Sequence, residues 1–247
     1  MGQDNSNRRI NPHISIDCVL FGYDGEELKV LLVQQVNRQE GQPAGRMKLP
    51  GSLIYDDEDL DEAVRRVLYE LTGLKNINMM QFQAFGSIDR TGNPKDISWL
   101  ERFHSLNTSI ERIVTIAYIA WVKIDKQLKQ LTSQYHACWL PLEEVGELAF
   151  DHNQIISAAI LKLQKYVEST PSILYDLLPH KFTMYQIRHL QERIFNKEFD
   201  PRNFHKKMLQ MDYIIPLNEY EKDVSHRAAR YYKFDRKIYN RNVHSVF

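Results

Sequence analysis

Cysteine is nearly absent from this 247-residue sequence, with only Cys18 and Cys138 present. Two thiols cannot build a disulfide framework or a thiolate zinc site, so a reducing, cytoplasmic setting is the expectation. Both read as packed thiols rather than nucleophiles. Glycine (10) and proline (9) are few, which excludes collagen-like and low-complexity architectures. Long apolar runs are missing too. The longest, residues 113–124, is too short for a bilayer and is interrupted by Thr115, so no membrane insertion is expected. Residues 1–11 are polar, with Arg8 and Arg9 followed by no apolar stretch, and no signal peptide is expected there. The nine histidines offer no pair at metal-binding helical spacing, and neither a metal nor a cofactor is expected. What is present, 43% hydrophobic and 26% charged residues, is a globular composition, and the length suits two domains.

Net charge is zero, but its distribution is uneven. Residues 171–247 hold 14 Lys+Arg against 9 Asp+Glu, net +5, while residues 1–170 hold 18 against 23, net −5. Such asymmetry suits a neutral or acidic sensor joined to a module that meets a polyanion; chance variation among surface charges is the bland alternative.

The pattern along the chain divides at residues 168–172, Glu-Ser-Thr-Pro-Ser, which read as a linker between domains at 1–168 and 172–247. Residues 13–21 and 28–36 read as strands joined by the Gly22-Tyr23-Asp24-Gly25 turn. Residues 39–45 read as a polar loop. Residues 56–74 have helical spacing, with Leu60, Val64, Val67, Leu68 and Leu71 in one stripe and Gly73 as the stop. Strands are expected at 80–88, 112–124 and 134–140, with a short covering helix through Ile97, Leu100, Phe103 and Leu106. Asp151 reads as the N-cap of a further helix whose buried stripe runs from Ile155 to Val167, with Gln154 completing a capping box.

Pro50-Gly51, then Glu58, Arg66, Leu68, Glu70, Gly73 and Leu74, resemble the Nudix box. Six of the nine specified positions of that pattern are kept. Ser52 replaces its glycine, and Val67 and Leu71 replace two of its helix glutamates. The resemblance implies an α/β/α sandwich around a mixed sheet over residues 12–168. In Nudix hydrolases the helix glutamates gather divalent metal that activates water. Positions 67, 70 and 71 share one helix face. Glu70 alone cannot assemble such a cluster, so the expectation is a non-catalytic Nudix domain. Glu58, Arg66 and Glu70 are then either solvated helix charges or a buried network beneath a ligand.

Beyond the linker, residues 172–178 read as a short helix broken at Pro179. Thr183 caps a helix at 184–195 with Ile187, Leu190, Ile194 and Phe195 inward, and Asp200-Pro201 starts a third at 201–211. Phe204, Met208 and Met211 form its apolar side. Arg202, Asn203, His205, Lys206, Lys207 and Gln210 are polar, and Leu209 interrupts them. Residues 213–217 and 230–234 read as a hairpin around a charged tip with Lys222, His226 and Arg227. Three helices and a hairpin describe a winged helix-turn-helix, so the fold class is α+β. The candidate DNA contacts are Arg202, Asn203, His205, Lys206, Lys207, Arg227 and Arg230. A protein-docking module is the alternative reading.

A Nudix domain without its metal glutamates ahead of a winged helix resembles the Nudix-related transcriptional regulators, as do Leu148-Ala149-Phe150-Asp151-His152 and Asp200-Pro201-Arg202-Asn203-Phe204. The resemblance implies a homodimer in which a small-molecule effector alters binding of two winged helices to double-stranded operator DNA. One branch of that family answers to ADP-ribose and controls NAD metabolism, another to L-arabinose and sugar catabolism. The long connection between Arg90 and Arg112 suggests a lid that shrinks the cleft to monosaccharide size. The expectation is therefore an L-arabinose-responsive regulator, a repressor, with ADP-ribose and an active hydrolase as alternatives. Asp17, Lys48, Glu70, Asp89, Arg90, Trp99 and Trp139 are the candidate effector contacts, combining bidentate polar groups with an aromatic face.

Overall fold

The computed structural model describes residues 8–36, 43–94, 96–97, 112–124, 135–222, 224–225 and 227–244. Its backbone falls into two compact units: residues 1–21, 30–120 and 127–159 in one, and residues 22–29, 121–126 and 160–247 in the other. The class is mixed α+β, a Nudix fold followed by a winged helix.

The first unit centres on a seven-stranded sheet. Its strands are β1 (Ile10–Tyr23), β2 (Leu28–Val36), β3 (Pro43–Lys48), β4 (Gly51–Tyr55), β5 (Met80–Phe85), β6 (Val114–Lys123) and β7 (Tyr135–Pro141). The order is β3-β2-β1-β6-β5, with β4 also paired to β1 and β7 to β2. β1 is therefore the hub, and from Ser15 onward it is buried throughout. Its alternation sends Ile16, Cys18 and Leu20 into one core, where they meet helix α1 (Leu60–Thr72) through Val64, Val67, Leu68 and Leu71. Asp17 and Val19 point the opposite way. That parity separates two polar clusters on β1 and α1.

Helix α1 begins at Leu60, four residues later than its sequence pattern suggests. Asp56 and Asp57 are drawn away by Arg9 (3.2 Å) and Arg8 (2.7 Å), and Asp59 becomes the N-cap, its amide donating to Glu62. The helix stops at Gly73, whose φ of 75° lets its amide donate back to Tyr69 (2.8 Å). β3 corrects the loop expected at 39–45, since Pro43–Lys48 pairs antiparallel with β2, and β4, Gly51–Tyr55, pairs with β1 where no strand was expected. The strand at 80 ends at Phe85 rather than 88, and Ile88–Thr91 is a short 3-10 turn. Trp99 and most of the expected covering helix lie outside the described residues, as do His226 and residues 39–42.

Helix α2 (His152–Ser169) runs on from the first unit into the second. There follow α3 (Ile173–Leu177), α4 (Met184–Phe195), α5 (Pro201–Leu209), β8 (Ile214–Tyr220), β9 (Arg230–Phe234) and α6 (Arg236–His244). Thr183 and Gln186 form the capping box of α4, and Asp200 caps α5 by accepting the Asn203 amide. β8 and β9 pair antiparallel, and Phe182 bonds to Tyr232 in both directions (3.0 and 2.8 Å), adding a third edge. Phe204, Met208, Ile187, Leu190 and Ile194 fill the core, while Tyr175 stacks on Phe234 at 4.0 Å. Helix α6 was not legible in the sequence. Asp235 caps it, and Tyr239 packs edge-on against Tyr213.

Candidate functional site

On the α1 side of the sheet, the surviving Nudix-box charges form a connected group. The Arg66 guanidinium donates to both oxygens of Glu58 (2.9 and 2.5 Å), to Glu70 (3.2 Å) and to the Leu53 carbonyl (3.3 Å). Glu58 also accepts the Tyr55 amide (2.9 Å), and Arg66 lies 4.4 Å from the Tyr55 ring centre. The Glu58 and Arg66 side chains are 3% and 13% exposed, against 41% for Glu70. They are thus a part-buried network that staples the loop before α1 to the helix and leaves Glu70 at its rim. Desolvation opposes the Arg66 charge, but the Glu58 hydrogen bond and the nearby carboxylates outweigh it, and its pKa is raised.

The two replaced glutamate positions are interior. Val67 is fully buried and Leu71 is 9% exposed, both packed with Val64 and Leu68. A Nudix metal cluster needs acidic oxygens at these places. Aliphatic side chains stand there, and Glu70 is engaged by Arg66. The residues do not fit the metal site of a Nudix hydrolase, and no group of three or more His, Cys, Asp or Glu suited to an ion occurs among the described residues.

The opposite parity of β1 carries a second, deeper cluster. Asp17 Oδ2 accepts from Arg90 (2.7 Å), both side chains being 4% exposed, and Arg90 also pairs with Asp151. His152 Nδ1 accepts the Leu49 amide (3.0 Å), which leaves Nε2 as the protonated nitrogen facing Asp17 Oδ1 at 3.3 Å. Burial pushes the Asp17 carboxyl up, yet His152 and Arg90 together hold it well below the usual carboxylate range. Lys48 donates to the Gly51 carbonyl (2.8 Å), and its amine is pushed down to about 7 by burial, with Asp17 opposing. Gly51 is forced: a Cβ there would lie 1.9 Å from Asp17 Oδ1 and 2.7 Å from the Ile16 carbonyl.

Around this cluster the 148–152 segment acts as a lock. The Ala149 amide donates to Met47, Phe150 sits at φ 55° with its amide on Asp96, and Asp96 pairs with Arg46 (2.6 Å). Strands β1 and β3, Arg90, Asp96 and the start of α2 are all pinned there. His152, Asp151, Asp96 and Gly51 were not among the sequence candidates for the site. The unusual Leu-Ala-Phe-Asp-His run was the available signal.

The seven candidate effector residues are thus distributed. Asp17, Lys48 and Arg90 come together. Glu70 stands on α1, on the other parity of the sheet; Trp139 packs against the α1 core; Asp89 is exposed, and Trp99 is outside the described residues.

In the second unit, the α5 face opposite Phe204 and Met208 presents Arg202, Asn203, His205, Lys206, Lys207 and Gln210 to solvent, with Leu209 52% exposed among them. The turn before α5 is fixed by Glu192, which accepts the Phe199 amide (2.9 Å) and pairs with Arg188 (2.6 Å), while Asn196 adopts φ 47°. Arg227 is exposed in the wing. Arg230 is tied into the wing by the Leu217 carbonyl (2.6 Å) and Asn218 (3.1 Å). An exposed basic face on a capped helix beside a hairpin can neutralise phosphates.

Two family descriptions match the chain: NUDIX domain over residues 11–160, and NrtR DNA-binding winged helix domain over residues 174–234. The ADPR responsive transcriptional repressor NtrR of Acinetobacter baylyi is 24% identical over 236 residues, covering 94% of this chain and 86% of that protein. The crystal structure of Shewanella oneidensis NrtR complexed with a 27mer DNA is similar at 26% identity and a TM-score of 0.62, over 92% of this chain and 95% of that one. A MutT/nudix family protein from Enterococcus faecalis shares the fold at 23% identity and a TM-score of 0.59, over 91% of this chain and 87% of that one. These findings correct the L-arabinose reading, because the relative matched across both domains is an ADPR-responsive repressor and not a sugar-responsive one. Arg90, one of the candidate effector contacts, is buried between Asp17 and Asp151, and most of the connection read as a lid lies outside the described residues. The chain belongs to the Nudix family and carries an NrtR-type winged helix behind its Nudix domain.

Proposed function

We propose that this chain is an ADP-ribose-responsive transcriptional repressor of NAD metabolism, acting as a cytoplasmic homodimer on operator DNA. The observation that carries the reading is the Acinetobacter relative, matched over 94% of this chain and so through both domains. Operator contact is assigned to α5. Asn203 and His205 near its start reach base edges, Arg202, Lys206 and Lys207 neutralise phosphates, and Arg227 touches the backbone from the wing. Arg230 braces the wing.

The Nudix domain acts as a receptor in this reading and not as a catalyst. Three glutamates without metal would repel a ligand bearing two phosphates. Val67 and Leu71 remove two of those charges, and Arg66 offsets the third, Glu70. The same replacements that abolish a metal cluster therefore make a metal-free diphosphate tolerable. Glu70 and Arg66 are placed at the effector's edge, and Asp17, Lys48 and Arg90 hold the scaffold behind it.

Thermal unfolding tests the reading, since a ligand bound by the folded state alone stabilises it by mass action, by about 2.7 kcal/mol at a hundredfold excess over Kd. ADP-ribose raises the midpoint without added Mg²⁺. An unchanged midpoint at millimolar ADP-ribose overturns the assignment.

A further inference from the structure

The turn between β1 and β2 is built as a rigid fixture. Asp24 Oδ1 accepts the amides of Glu26 (3.0 Å) and Glu27 (2.8 Å), and Asp24 Oδ2 pairs with Lys29 (2.5 Å). Gly25 holds φ at 106°, where an L side chain is strained. Residues 22–29 belong to the second unit, together with the winged helix.

Within that unit the turn grips α4 twice. The buried Tyr23 hydroxyl donates to the Gly25 carbonyl (2.8 Å) and is 3.2 Å from the Gln186 carbonyl, in the first turn of the helix. Two turns further along, Arg193 pairs with Glu27 (3.2 Å). Gly25 is also pressed against Gln186. A Cβ at 25 would lie 2.8 Å from Gln186 Nε2. Gln186 cannot swing aside freely, because its Oε1 accepts the Thr183 amide (3.0 Å) in the box that starts α4. The turn thus abuts the cap of α4 as well as its body.

This grip does not serve the winged-helix core, which α4 fills with Ile187, Leu190 and Ile194. It binds α4 instead to the end of a strand whose other residues lie in the effector unit. Asp17, in the buried cluster, is six residues before Tyr23 on the same continuous β1. A hydrogen-bonded strand is stiff along its length, so a displacement at Asp17 is felt at Tyr23. Because α4 and α5 are joined by the turn that Glu192 fixes, movement of α4 re-aims the basic face of α5.

We infer that the β1–β2 turn is the clasp through which effector occupancy reaches the operator-binding helices, with Tyr23, Glu27 and Arg193 as its positioning residues. The inference rests on the ADP-ribose reading above. Ligand control requires two states of different ligand affinity and an element whose contacts differ between them. The clasp supplies that element, and couplings of this kind amount to about 5- to 150-fold in affinity.

The test compares full-length wild type with Tyr23→Phe, Glu27→Arg and the charge exchange Glu27→Arg/Arg193→Glu. ADP-ribose is the ligand, and the duplex is the one that wild type enriches from a random-sequence library. Tyr23→Phe keeps the packed ring and removes only the hydroxyl, so it leaves the fold intact. Tyr23→Phe and Glu27→Arg are expected to bind ADP-ribose by calorimetry as wild type does, and to bind the free duplex with near wild-type affinity. The ligand-induced change in duplex affinity shrinks toward unity in both and returns in the charge exchange. Full ligand response in the single variants overturns the clasp. So does an equal loss of duplex binding with and without ADP-ribose, since the turn is then only a support for α4. A wild-type protein whose duplex affinity is indifferent to ADP-ribose overturns the functional reading itself, and the inference with it.

Discussion

The Arg90 guanidinium lies 2.7 Å from Asp17 Oδ2 with both side chains 4% exposed, so each neutralises the other where water cannot. Removing one member strands the remaining charge in the interior, which costs about 3–5 kcal/mol in comparable buried pairs. Arg90→Met is therefore expected to lower the urea midpoint steeply. Arg90→Met/Asp17→Asn recovers part of the loss, because the uncompensated carboxylate has gone. An Arg90→Met protein as stable as wild type contradicts the scaffold role given to this pair.

The same cluster sets a pH dependence with two limbs. The folded-state pKa of Asp17 is depressed, so its contribution is present above the ordinary carboxylate range, near 3.9, and is lost as pH falls through the folded value. Lys48 works in the opposite range. Its amine is pushed down from 10.5 to about 7, so between those values the unfolded chain binds the extra proton and stability rises with pH. Thermal melts of wild type and Lys48→Met from pH 7 to 9 check this. Lys48→Met lacks the rise, and parallel curves contradict it.

Glu70 is the last helix carboxylate of the Nudix box, and Arg66 already occupies it. Incubation with ADP-ribose and Mg²⁺ is expected to leave the nucleotide intact by chromatography. Restoring the box with Val67→Glu places a carboxylate at a fully buried position, and the expected outcome is destabilisation by several kcal/mol, read by urea melts, before any gain of chemistry. Hydrolysis at ordinary enzymic rates that vanishes in Glu70→Gln contradicts the receptor assignment.

Arg202 and Lys206 project from the solvent face of α5. If each meets a phosphate, Arg202→Ala and Lys206→Ala weaken duplex binding and each lowers the slope of log K against log salt by about 1. Arg230→Ala acts differently. Its guanidinium is spent on Leu217 and Asn218, so the salt slope changes little while the wing loosens. Equal slopes across wild type, Arg202→Ala and Lys206→Ala contradict the assignment of this face.

Much of the fold was legible because its signals are local. The apolar stripe of α1, Gly73 as its stop, Thr183 and Asp200 as caps, and the paired strands of the wing all depend on near neighbours in sequence. β3 and β4 escaped because their ladders close against β2 and β1, and α6 because its packing against Tyr213 and Phe234 is tertiary. Site residues were harder. Asp17, Lys48 and Arg90 were singled out, but the alternation of β1 that sets Asp17 apart from Glu70 follows from register rather than composition. His152 was hidden in a motif, since its partners, Leu49 and Asp17, are more than 100 residues away. The effector misreading came from weighing the length of the 90–112 connection, a feature that carries no information on ligand chemistry, and the relative matched through both domains corrects it.

The most direct measurement is fluorescence anisotropy of the selected duplex bound to the full-length protein, titrated in parallel with ADP-ribose and with L-arabinose. ADP-ribose is expected to release the duplex and L-arabinose to leave it bound. Anisotropy that stays constant through the ADP-ribose titration contradicts the account.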